Sequence, residues 1–306
     1  MPQHGSNTRA LPVWRSMMYV PVNVDKYVEK AHTRGADAVI LDLEDSIPAA
    51  EKDEARKLVP AAAKRVSRGG ADVVVRINQP LRLAVRDIEA AIGPDVLALQ
   101  LPKIDSASHI RLLSDLVDEL EIERGMVPGS TRFVPMIETA DAFFRAQEIA
   151  TASPRNASVV LGGEDFAMEL GMLPATDAYT YPKQHVLIAA RAAGLTPLGI
   201  LGTVADFTNH AAVRETIRTS RRFGFEGASC IHPGVVPLLN EEFTPSEKDV
   251  ASARGLIAAY NEAIKTGRAS LVYEGKMIDV PVVRRAQNML DRYEAIRARQ
   301  ATAAMG

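Results

Sequence analysis

The chain has 306 residues, 47% hydrophobic and 24% charged, which is ample apolar material for a large core and excludes a disordered chain. A formal net charge of −2 argues against nucleic acid or an anionic membrane surface as partner, and the single cysteine, Cys230, excludes an internal disulfide framework or thiolate metal cluster. The opening residues MPQHGSNTRALP lack the apolar stretch of a signal peptide, and no segment reaches the ~20 apolar residues of a membrane span, so a cytoplasmic chain is expected.

Short apolar runs alternate with helical patterns. A strand over 16–22 precedes a helix in which Tyr27, Val28 and Ala31 share a face and Gly35 provides the stop. Strands follow over 37–44, 72–78 and 95–103, each leading into a helical pattern, the third of which Ser106 is placed to cap. The runs 132–138 and 157–164 come next, the latter followed by a loop and the helix KQHVLIAARAAG. A weaker strand over 195–200 leads to AAVRETIRTSRRFG, and GASCIHP, 227–233, closes the set. Continuous apolar strands point to a sheet buried on both faces, hence a parallel one. Eight such units suit a (β/α)8 TIM barrel, residues 1–268, with an open doubly wound sheet as the alternative. No G-x-G-x-x-G follows the first strand, which weighs against that alternative. Residues 269–306 read as a C-terminal extension, a short hairpin turning at Glu274–Gly275 and a helix to about residue 299. This tail is too small for a core of its own, so a lid or oligomerisation role is expected.

Charges recur at the C-terminal ends of the apolar runs: Glu44, Arg76, Lys103, Glu138, Asp165 and His232. In a barrel those ends converge on one mouth, where sites are built. Glu138 and Asp165, on consecutive strand ends with only oxygen donors, suit a hard cation such as Mg²⁺. The fork of Arg76 suits a substrate carboxylate, and Lys103 is a further substrate-binding candidate. Plainer readings stand beside these. Arg76 serves equally as an ion-pair partner of Glu44 or Asp42, Asp165 as a helix cap, Glu138 as a helix-dipole partner, Lys103 as a solvated strand end and His232 as a loop-fixing hydrogen bonder. Asp42 and Asp45 read as structural, through turn or cap bonding.

The stretches RSMMYVPVN, KAHTRGADAVILDLEDSIPAAEKDEAR, VVVRIN, LPKI, VPMIETA, LGGEDFAMELG, AARAAGLTPL, RRFGFEGASCIHP and GKMIDVPVVRRAQ resemble the citrate lyase β-subunit-like family across the whole chain and in the same order. The resemblance implies a barrel of the phosphoenolpyruvate/pyruvate type, a homotrimer or hexamer, and Mg²⁺ on Glu138 and Asp165. It places the carboxylate-binding arginine at Arg76. It also places an acid/base aspartate, contributed by the C-terminal segment of a neighbouring subunit, at Asp279, which on chemistry alone is an ordinary hairpin residue. The implied activity is Mg²⁺-dependent cleavage of a carbon–carbon bond in a β-hydroxyacyl thioester of malyl, citramalyl or citryl type, carried by CoA or an acyl carrier. A water held by Glu44 is the other candidate proton carrier. A thioester hydrolase, or an accessory subunit needing partner chains, is the alternative. The chain departs from its relatives at Leu198 and Gly199, where they often carry an acid, and RINQPLRLAVRDIEA lacks their aspartate-rich version.

Overall fold

The computed structural model describes residues 10–205, 207–267 and 269–305. Most of the opening stretch on which the expected absence of a leader rests, residues 1–9, and Asp206 of TPLGILGTVAD lie outside them. The chain divides into a larger compact unit ending at Phe243 and a smaller one beginning at Thr244.

In the larger unit β1 (Ser16–Pro21) runs into α1 (Asp25–Ala31), β2 (Ala38–Asp42) into α2 (Lys52–Val66), β3 (Asp72–Arg76) into α3 (Leu81–Ala91) and β4 (Ala98–Leu101) into α4 (Ala107–Glu123). β5 (Arg132–Ile137) leads to the short helices α5 (Ala140–Phe144) and α6 (Ala146–Ala150). β6 (Val160–Leu161) leads to α7 (Gly163–Leu170) and α8 (Thr176–Ala192), and α9 (His210–Phe223), β7 (Ala228–Cys230) and α10 (Val236–Glu242) complete the unit. The strands form one parallel sheet in the order β6-β5-β4-β3-β2-β1-β7.

The sheet is buried on both faces, and each strand's period of two sorts its side chains between them. Met17, Ala38, Ile40, Val74, Ala98 and Val134 pack together on one face with Trp14, Ala157 and Leu198. Val39, Leu41, Val73, Val75, Leu99 and Phe133 face the helices, where they meet Val59, Ile88 and Val117.

The segment 195–200, expected as a strand, forms only an isolated bridge, Leu198 to Gly227. Pro197 has no N–H to give, and Gly199 takes φ +146°, so a regular ladder is broken there. The segment nonetheless touches both edges of the sheet: Thr196 N donates to Ala157 O at 3.0 Å, and Gly199 N to Gly227 O at 2.8 Å.

The smaller unit pairs α11 (Glu247–Lys265) with α12 (Val280–Met305) around the antiparallel hairpin β8 (Leu271–Tyr273) and β9 (Lys276–Ile278). Ser246 and Asp249 close a reciprocal capping box at the start of α11. The boundary between the units therefore falls before α11, earlier than the 268/269 division expected from sequence, because α11 packs on α12. No helix among the described residues is long and apolar enough to cross a membrane.

Candidate active site

Charged and polar side chains reach the carboxyl ends of the strands because they continue the inward-facing rows. Asp42 follows Ala38 and Ile40 at steps of two, Arg76 follows Val74, Gln100 follows Ala98, and Glu138 follows Val134 and Met136. Arg76, Glu138 and Asp165 line a cavity of about 690 Å³, with Tyr19, Asp42, Gly162, Lys183 and His232. Glu44 and Lys103 are not among the lining side chains; they contact those that are.

Arg76 is the hub of an ion cluster. Its Nε and Nη2 donate to the two oxygens of Asp42, each at 2.7 Å, while Nη1 donates to Asp45 Oδ2 at 3.1 Å. Nη1 also lies 3.0 Å from Glu44 Oε2, and the guanidinium packs 4.9 Å from the Tyr19 ring centroid. The ion-pair reading of Arg76 is thus realised. Burial alone would raise Asp42, yet the hydrogen bonds and charge of Arg76 hold its carboxyl below the usual range. Asp42 also accepts from the backbone N–H groups of Glu44 (2.9 Å) and Ser46 (3.2 Å), the turn role expected of it.

Lys103 joins the second half of the site. Its φ of +49° is left-handed, unusual for a residue with a Cβ. In that conformation its backbone N donates to Glu138 Oε2 at 2.5 Å, while Nζ donates to Glu44 Oε1 at 2.8 Å and lies 3.4 Å from Asp165 Oδ1. Glu44 is raised by burial against the opposing influence of Arg76, and its Oε2 is buried without a hydrogen bond. Glu138, 2% exposed, is pushed up to about 7 by burial and then by the neighbouring Glu44. Asp165 stands in the first turn of α7 rather than on a strand, because β6 ends at Leu161.

Among the described residues no group of three or more His, Cys, Asp or Glu side chains is gathered for a metal. Two carboxylates remain, and these fit Mg²⁺, which takes one or two and completes its shell with water and substrate oxygens. Glu138 Oε1 has no protein donor among the described residues, and it lies against Gly162, where a Cβ would overlap the carboxylate. A buried carboxylate with an unbonded oxygen and a raised pKa is a group short of positive charge.

His232 lines the cavity, accepts from Gly234 N at Nδ1 (3.1 Å) and stacks on Phe207 with centroids 4.8 Å apart. Asp279 belongs to the smaller unit, where its carboxylate accepts from Val282 N at 3.3 Å.

Several supporting residues escaped the sequence reading. Lys52 Nζ donates to the carbonyls of Leu43 (3.0 Å) and Glu44 (2.8 Å), and Asn78 Nδ2 donates to Leu43 O (2.9 Å). Asn78 is held in turn by the fully buried Asp87, which also accepts from Arg56 Nε at 2.9 Å. These contacts fix the peptide that carries Glu44. The available sign was Asp87 itself, a charge in the apolar row of α3 beside Ala84, Ile88 and Ala91.

Residues 15–233 match the model of the HpcH/HpaI aldolase/citrate lyase family. The chain is 35% identical to the citrate lyase subunit beta of Leuconostoc mesenteroides subsp. cremoris over 279 residues, covering 90% of this chain and 92% of that protein. It is 30% identical to the mitochondrial citramalyl-CoA lyase of Homo sapiens, with 90% and 84% covered. A crystal structure of CitE from Mycobacterium tuberculosis, in complex with magnesium, acetoacetate and coenzyme A, superposes with a TM-score of 0.72 at 28% identity, covering 91% of this chain and 97% of that one.

Proposed function

We propose, from the premise that the chain belongs to the HpcH/HpaI aldolase/citrate lyase family, that it is a Mg²⁺-dependent carbon–carbon lyase acting on a β-hydroxyacyl CoA thioester. The observation that carries this is the buried Glu138 carboxylate, with one oxygen that no donor among the described residues reaches, against Gly162, and lining the same cavity as Asp165.

Glu138 and Asp165 would hold the ion, and Mg²⁺ when bound supplies Lewis-acid polarisation and a template for the substrate oxygens. Arg76 orients the carboxylate next to the reacting carbon through the Nη2 hydrogen that Asp42 leaves over. A base removes the proton of the β-hydroxyl, and the carbon–carbon bond breaks towards the thioester. The keto acid leaves, and the enolate of the thioester is protonated on carbon. Asp279, from a neighbouring subunit, or a water held by Glu44 would carry the proton.

The architecture we assign is a closed (β/α)8 barrel, in which 195–200 fills the gap between β6 and β7; the bonds of Thr196 and Gly199 to both edges support it. A homotrimer or hexamer in the cytoplasm, with 269–306 as lid and oligomerisation segment, completes the reading. The test incubates citryl-, citramalyl- and malyl-CoA with the protein, with and without Mg²⁺, and identifies products by mass spectrometry. Keto acid plus acyl-CoA, formed only with Mg²⁺, is expected. Intact hydroxy acid plus free CoA would replace the lyase by a hydrolase, and no product from any thioester would leave the accessory-subunit reading.

A further inference from the structure

Among the described residues, four lysines and arginines line the cavity: Lys30 and Arg34, which are exposed, and Arg76 and Lys183, which are largely buried. Arg76 is committed to three protein carboxylates. Lys183, on α8 and 7% exposed, forms no ion pair among the described residues. Its Nζ donates to the Gly202 carbonyl at 2.5 Å and lies 4.1 Å from the Tyr179 ring centroid. An ammonium carries three N–H bonds; one carbonyl and one π face leave a third without a partner. A buried cation lining a cavity, on which Glu164 acts without forming an ion pair, is costly unless a ligand supplies a closer counter-charge.

We propose that Lys183 is a specificity-determining residue whose ammonium receives a second carboxylate on the acid half of the thioester, one that neither the carboxylate pair nor Arg76 takes. The identity of the ligand rests on the lyase reading. The preferred substrates are then those releasing a keto acid with two carboxylates, as oxaloacetate has, over those releasing a keto acid with one, as pyruvate has.

The surroundings of Lys183 support a receptor that charges as its ligand arrives. Burial pushes the amine down to about 7, and Glu164, facing it from α7, only partly opposes this. Glu164 is itself hydrogen-bonded by Thr203 Oγ1. The segment 199–205 presents the Gly202 carbonyl and the Thr203 hydroxyl, and α8 presents Tyr179, whose phenol is pushed up to about 12 by burial and donates to Gly163 O at 2.9 Å. An incoming carboxylate raises the amine's pKa, so near pH 7 its binding draws in protons.

Calorimetry of oxaloacetate and pyruvate binding, with Mg²⁺ saturating, tests this without turnover. The wild-type chain should bind oxaloacetate at least about tenfold tighter, the worth of one charge-assisted hydrogen bond. Lys183→Met should remove the preference, and Lys183→Arg should keep most of it. In buffers of different ionisation enthalpy at pH 7, oxaloacetate should take up more protons than pyruvate in the wild type and equally many in Lys183→Met. No preference in the wild type, an unchanged preference in Lys183→Met, or equal loss for both acids would overturn the proposal. Equal loss would mark Lys183 as a mere tether between α8 and Gly202. Should Lys183→Met fail to fold, Lys183→Gln replaces it in the same measurement, an unchanged preference again counting against the proposal. A chain that keeps the preference yet cleaves no thioester would refute the lyase reading and leave Lys183 standing.

Discussion

Two glutamates, Glu121 and Glu138, are equally hidden from solvent, at 0% and 2% exposure, and respond in opposite ways. Glu121 accepts from Gly129 N, Ser130 Oγ, Thr131 N and both terminal nitrogens of Arg155, and these bonds overcome burial to hold its carboxyl down at about 2. Among the described residues Glu138 accepts one hydrogen bond, from Lys103 N, and burial, then Glu44, drives it up to about 7. Burial is common to both; the supply of donors and cations differs. One region ties α4 to the start of β5 and to Arg155, and the other keeps an acid unsatisfied beside a cavity. The second arrangement, with Lys103 as its nearby cation, is the one the proposed Mg²⁺ would complete.

The largest expected effect tests the unsatisfied region. Asp165→Ala should lower Mg²⁺-dependent cleavage by about 1,000-fold or more, with the circular dichroism spectrum unchanged. Full activity of this variant in EDTA would remove the metal role. On the satisfied side, Glu121→Gln should cost about 3–5 kcal/mol in urea unfolding, because Arg155 loses its buried counter-charge and keeps only the half-exposed Asp118, while folded molecules keep their activity.

Acid probes the same contrast. The folded pKa of Glu121 lies below its unfolded value, so its stabilisation is present above about pH 4.5 and is lost as pH falls through about 2. The loss should amount to about 3 kcal/mol, and Glu121→Gln should flatten that limb of the stability curve. The smallest effect returns to Glu138. In EDTA, Glu138→Gln should change stability by no more than about 1 kcal/mol, in either direction, since it removes a charge the fold satisfies poorly. A loss as large as that of Glu121→Gln would erase the contrast between the two regions.

Much of this was legible in the sequence. Continuous runs such as VVV and AVIL announced a sheet covered on both faces, and the charges ending them, Asp42, Arg76 and Glu138, share parity with Ile40, Val74 and Val134 and so share their face. The segment 195–200 misled because its apolar content resembles a strand, while Pro197 and the positive φ of Gly199 allow only a bridge. The links made by Lys103 depend on a left-handed backbone that no propensity predicts for lysine. Lys183 left a faint trace, a charge in the helical row of Tyr179, Val186, Leu187 and Ala190. The commitment of Arg76 to protein carboxylates is a matter of three-dimensional pairing, invisible until strands and loops are placed side by side.

The two-residue rhythm of the strands also sets what kinds of genetic change the molecule can absorb. Dropping one valine from β3 would swing Arg76 away from Asp42 and into the helical layer, stranding a guanidinium in hydrocarbon while its former partner lost its counter-ion. Exchanging that valine for isoleucine would merely jostle the packing. Descent with altered spacing is therefore confined to the connections, and the strands can vary in spelling but not in length.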